Sequence, residues 1–129
     1  MPDTILYVCT TCRGADDLSE PRAGARLLAA LREATGGEDL RIEGVECLSV
    51  CKRPCTVAVA SEGRWTYVYG DLDPAASART ILDGIGLYAQ TSDGIVPWKA
   101  RPEAFRKGVV ARIPPFLPSA AQILPDAAE

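Results

Sequence analysis

Apolar and polar positions recur along this chain in two rhythms, one with a period of two and one with a period near 3.6. From Thr4 to Cys9 nearly every residue is apolar, β-branched or aromatic, which predicts a strand buried on both faces. Ser19-Glu20-Pro21 then offers a cap and an early-turn proline. Leu27, Leu28, Leu31 and Ala34 follow at the spacing of one helical face, and Gly36-Gly37 stops the helix. Leu40 to Glu46 is charged and weakly alternating, a second strand. Thr56 to Ala60 and Trp65 to Tyr69, joined through Ser61-Glu62-Gly63-Arg64, predict a β-hairpin. Asp73-Pro74 caps a second helix on which Ala78, Ile81, Leu82, Ile85 and Tyr88 share a face. After residue 93, Pro97, Pro102, Pro114, Pro115, Pro118 and Pro125 interrupt any long helix and leave room for a short one from Pro102 to Gly108.

A β-α-β unit followed by a β-β-α unit is the connectivity of a thioredoxin-like α/β fold, a central mixed sheet flanked by helices. Residues 1–93 are expected to form this domain. Residues 94–129 form a basic, irregular, Pro-rich C-terminal arm packed on it or wrapping it. With 129 residues, 47% of them hydrophobic, the chain can bury a core without staples. The brief apolar run at the N-terminus has no basic leader and no segment is long enough for a membrane span, so the expected location is cytoplasmic. A net charge of -3 argues against nucleic acid as the main partner. The charge is uneven, because Lys99, Arg101, Arg106, Lys107 and Arg112 face only Glu103 between residues 94 and 118. That arm reads first as a solvated or packed surface extension, and second as a dock for an acidic protein or an anionic cofactor. Trp65, Tyr67 and Tyr69 alternate on one strand face, as sheet packing or a homodimer surface would require.

The chemistry lies in five cysteines and the absence of histidine. Without histidine there is no Ser-His or Cys-His nucleophile pair, and the glycine pairs lack a phosphate-loop pattern, so no catalytic residue is assigned. An odd cysteine count in a reducing compartment also fits poorly with a disulfide framework. Cys9 and Cys12 sit at the carboxyl end of the first strand. Cys47 and Cys51 follow the next strand of a parallel β-α-β unit, which brings both pairs to one sheet edge, where open α/β sheets build their sites. The two-residue spacer of Cys9-Thr10-Thr11-Cys12 lets both sulfurs face one metal. The three-residue spacer of Cys47-Leu48-Ser49-Val50-Cys51 puts two thiols on one side of a helical turn. Four such thiolates suit a [2Fe-2S] cluster or tetrahedral Zn2+. Pro54 drives Arg53 extended, so Cys55 begins the next strand, either as a small buried apolar residue or as an alternative ligand replacing Cys12 or Cys51. Arg13, Lys52 and Arg53 adjoin the cysteines and would favour a reduced cluster. Gly14, the turn backbone and the hydroxyls of Thr10, Thr11 and Ser49 offer hydrogen bonds.

Val8-Cys9-Thr10-Thr11-Cys12-Arg13-Gly14, Cys47-Leu48-Ser49-Val50-Cys51-Lys52-Arg53-Pro54-Cys55-Thr56-Val57-Ala58, Tyr69-Gly70-Asp71-Leu72 and Val96-Pro97-Trp98 resemble the small bacterial predicted metal-binding proteins of the DUF1636 family. The likeness covers nearly the whole chain. More distantly, strand-end cysteines followed by a Cys-Leu-x-x-Cys loop resemble thioredoxin-like [2Fe-2S] ferredoxins and the related subunit of respiratory NADH dehydrogenase. The resemblance implies an electron carrier rather than an enzyme, with Cys9, Cys47 and Cys51 as cluster ligands by position. Cys12 is the fourth, although those ferredoxins place a longer spacer between their first two cysteines. It also implies a redox partner protein, and a corrinoid-pathway enzyme as acceptor through the family's link to cobalamin and cobalt metabolism. Two other readings stand beside it: a zinc-binding or metal-carrier protein whose four cysteines hold Zn2+ without electron transfer, and a CxxC thiol-disulfide oxidoreductase. The last is opposed by Arg13 to Leu18, which separate Cys12 from the helix start whose dipole would activate a thiol.

Overall fold

The computed structural model describes residues 4–11, 21–35, 40–50, 53, 55–74 and 76–115. Its strands are β1 (Thr4–Cys9), β2 (Arg41–Val45), β3 (Val57–Ser61), β4 (Thr66–Tyr69) and β5 (Val109–Ile113). Its helices are α1 (Ala23–Thr35), α2 (Ala78–Ala89) and α3 (Glu103–Lys107), with a short 3-10 turn at Trp98–Ala100. The strands form one sheet in the order β2-β1-β3-β4-β5. β1 and β2 run parallel, and the other neighbours are antiparallel. This is the mixed sheet with flanking helices that the connectivity predicts.

Pairing across the sheet explains why one face is dry. Leu6 lies opposite Val59, Val8 opposite Val57, and Val59 and Val57 opposite Tyr67 and Tyr69, so six large apolar side chains stand on the same face. All six are buried, and they form one core with Leu27 and Leu31 of α1, Ile81, Ile85 and Tyr88 of α2, and Phe105 of α3. α2 delivers the apolar stripe its spacing predicts, and α1 does so through Leu27, Leu28 and Leu31, whereas Ala34 is exposed. Each fully buried Leu or Ile stabilises the fold by about 1.5–3 kcal/mol.

Two local readings change in three dimensions. Asp73 does not cap α2: its carboxylate accepts from Ala76 N–H at 2.9 Å, and its own N–H donates to Ser77 Oγ at 2.8 Å. It builds a turn ahead of the helix, which starts at Ala78 after Ser77. The C-terminal segment contributes an additional strand, β5, which the sequence reading does not contain, next to the expected short helix α3. Two of its basic side chains, Arg101 and Arg112, pack against aromatic residues. Arg101 donates to the Val96 carbonyl at 2.8 Å and the Tyr67 hydroxyl at 3.1 Å, and Arg112 lies 4.7 Å above the Trp65 ring.

Among the described residues, no helix is long and apolar enough to cross a membrane.

Candidate metal centre

Parallel pairing sets Cys9 opposite Val45, the last residue of β2, so the chain leaves both strands at the same carboxyl edge. The two departing loops are laced together there. Thr10 donates to the Val45 carbonyl twice, from its N–H at 2.8 Å and its hydroxyl at 3.1 Å. The Thr11 hydroxyl donates to the next carbonyl, that of Glu46. The Cys9 thiol points at that same oxygen from 3.8 Å and lies 3.7 Å from Thr11 Oγ1. Cys9 thus sits, 2% exposed, against the residue that precedes Cys47. Gly44 permits the close approach: a Cβ there would come 2.9 Å from Leu28 Cδ2 and 3.0 Å from Thr10 Cγ2.

Cys47 is exposed, and its sulfur accepts the Ser49 N–H at 3.2 Å. Ser49 is left-handed, with φ 61°. The Cys47 loop is therefore not the helical turn its spacing suggests, because a left-handed residue swings the following chain out of the right-handed helical path. The same bend aims a backbone amide at the sulfur. Cys55 occupies a different environment. It is 1% exposed within the hydrophobic core, and its backbone exchanges hydrogen bonds with Leu72 at 3.2 and 3.3 Å. Cys12 and Cys51, the other two expected ligands, lie outside the described residues. Cys9, Cys47 and Cys55 are not joined to one another by a disulfide. Among the described residues, no three Cys, Asp or Glu side chains gather closely enough to hold a metal ion.

The electrostatics differ from the sequence expectation at Arg53. Its guanidinium turns into Asp71, with Nε at 2.8 Å from the carboxylate, and also donates to the carbonyls of Val109 at 3.3 Å and Lys107 at 3.2 Å. Paired in this way, it is a structural tie rather than an open charge beside the thiols. A cation that sequence spacing does not reveal, Arg22, instead donates to the Thr11 carbonyl at 3.2 Å. The early-turn proline reading of Pro21 puts Arg22 inside the helix, whereas α1 starts at Ala23 and leaves Arg22 just ahead of it, within reach of Thr11. Arg13, Gly14 and Lys52 lie outside the described residues. The Thr10 and Thr11 hydroxyls also differ from expectation, since they donate to the Val45 and Glu46 carbonyls, while the turn backbone supplies a donor to sulfur through the Ser49 amide. Tyr69, deep in the core, has its hydroxyl pKa pushed up, chiefly by burial.

The fold matches solved proteins. A thioredoxin-like [2Fe-2S] ferredoxin from Aquifex aeolicus superimposes with a TM-score of 0.57 at 16% identity, covering 91% of this chain and 99% of that one. Another structure, that of the wild-type ferredoxin, gives 0.53 at 12% identity over 86% and 99% of the two chains, and a cysteine-to-serine variant gives 0.54 at 14% identity over 84% and 98%. These likenesses establish a shared fold. No curated protein matches the sequence. The family model of DUF1636, proteins of unknown function, matches residues 6–115, and the chain belongs to that family.

Proposed function

We propose that this protein is a one-electron carrier that holds a [2Fe-2S] cluster between its two cysteine loops, with Cys9, Cys12, Cys47 and Cys51 as ligands and a redox protein as partner. The observation that carries the reading is the lacing of the loops, in which the Cys9 sulfur lies 3.8 Å from the carbonyl of the residue before Cys47. The loops that bear Cys9 and Cys47 leave the sheet at one edge, which supports ligation of a two-iron cluster by sulfurs from both. The donor set fits the group chemically. Sulfur is the donor such clusters take, and the Ser49 amide already faces one sulfur. The fold shared with the Aquifex aeolicus ferredoxins points the same way. When bound, the cluster supplies reversible one-electron redox chemistry. The chain's own residues fix the loops, shield Cys9 from water and leave Cys47 at the surface toward a partner. Cys55 serves the core.

The test is anaerobic purification with iron and acid-labile sulfide assays and a visible absorption spectrum. A brown protein with equal iron and sulfide, lost in Cys9→Ser and Cys47→Ser, supports the reading. A colourless protein that binds zinc through the same cysteines overturns it in favour of a zinc protein.

A further inference from the structure

Arg53 lies between Cys51 and Cys55 in sequence, yet its guanidinium binds groups elsewhere in the chain. It reaches three of them on two distant segments: the Asp71 carboxylate in the β4–α2 connection, and the carbonyls of Lys107 and Val109 where α3 gives way to β5. Its backbone is held as firmly. The Arg53 N–H donates to Val50 at 3.0 Å, while its carbonyl accepts the Asp71 N–H at 2.9 Å and the Thr56 hydroxyl at 3.2 Å. The third side of the triangle closes through Gly70 N–H to the Gly108 carbonyl at 2.8 Å. The packing leaves no slack, because a Cβ at Gly70 would sit 2.7 Å from the Arg53 carbonyl oxygen. Asp71 adopts φ 58°, a strained value for a non-glycine residue, and is held there by these contacts.

We infer that Arg53 is a positioning residue that locks the end of the Cys47 loop to the α3–β5 corner, so that the C-terminal segment governs how firmly the cysteine loop is held. The inference deepens the proposed cluster function and rests on it for its consequence, but the tie itself belongs to the metal-free chain. A planar fork with several donors can satisfy a carboxylate and two carbonyls at once. A lysine ammonium cannot cover that geometry. With its charge paired to Asp71, Arg53 acts through loop geometry.

Hydrogen exchange on the metal-free full-length protein tests the tie. Arg53→Ala should raise exchange at the Cys55, Gly70 and Asp71 amides by about tenfold, the effect of losing charge-assisted hydrogen bonds. Amides of β1 should stay protected. The core variant Ile81→Val, which weakens the whole fold, should not reproduce this local pattern. Should Arg53→Ala fail to fold, Arg53→Lys carries the same test with a smaller change in the same direction. Unchanged protection at Cys55 and Asp71, or an increase spread evenly over the sheet, overturns the inference. In iron- and sulfide-reconstituted protein, Arg53→Ala should lose iron to a chelator faster than wild type, whereas Ile81→Val should not. An equal rate in Arg53→Ala and wild type overturns the coupling to the site. Failure of wild type to take up a cluster would defeat the proposed function, while the exchange data would still decide the tie.

Discussion

Gly84→Ala sets two known effects against each other at the junction between α2 and the C-terminal segment. Replacing a helix-interior glycine by alanine favours the helix by about 1 kcal/mol. Here the added methyl would fall 2.2 Å from Phe105 Cε2 and 2.5 Å from Cδ2. Carbon atoms prefer about 3.5–4.0 Å, so the overlap exceeds an ångström. Phe105 cannot easily yield, because it is 2% exposed and its ring stacks on Tyr69 with centroids 3.8 Å apart and planes 10° apart. Overpacking costs about 1–3 kcal/mol, and so close a contact with a confined ring belongs at the upper end. The expected net loss is about 1–2 kcal/mol, a fall in Tm of roughly 3–8 °C for a chain of this size. Urea and thermal unfolding followed by circular dichroism measure it. Adding Phe105→Leu should recover part of the loss, so the double variant should be less destabilised than the two single effects combined. A Gly84→Ala protein as stable as wild type, or strict additivity in the double variant, would refute the packing argument. The same experiment asks whether the segment that bears α3 is integral to the core.

Two buried groups carry the remaining predictions. Cys55→Ala should lower stability by about 1 kcal/mol through lost packing while leaving iron and sulfide content at the wild-type value; loss of the cluster would instead make Cys55 a ligand. Tyr69 should make stability fall at alkaline pH. Its folded pKa is raised above the ordinary value of 10.0, so above about pH 10 the unfolded chain releases a proton that the folded chain keeps, and stability declines as pH rises. Urea titrations from about pH 7 to 11 should show a decline that is smaller in Tyr69→Phe, and an equal decline in both proteins would exclude Tyr69 as its source.

Much of this architecture is written in local periodicity. The apolar run of β1, the stripes of α1 and α2, and the β3–β4 hairpin each carry their own period, because a half-buried helix or strand must repeat its apolar positions to keep one face dry. Parallel β-α-β connectivity then sends the chain out of β1 and β2 at one edge, and Cys9 and Cys47 with it. The rest depended on partners distant in sequence. β5 is short, with Ala111, Arg112 and Ile113 exposed, and it becomes a strand by pairing with β4 rather than through its own pattern. Arg53 has cysteines two residues away on either side, yet its direction is set by carbonyls more than fifty residues further on. Ser49 bends left-handed and sends its amide back to the Cys47 sulfur, a local contact that the three-residue spacer does not reveal. Which residues carry sulfur, and the sheet edge at which Cys9 and Cys47 emerge, follow from the order of residues alone, since strand direction and connectivity are local and topological. Which charges face that edge and what holds its loops emerge with the completed fold, because a long side chain goes to whichever partner that fold brings within reach.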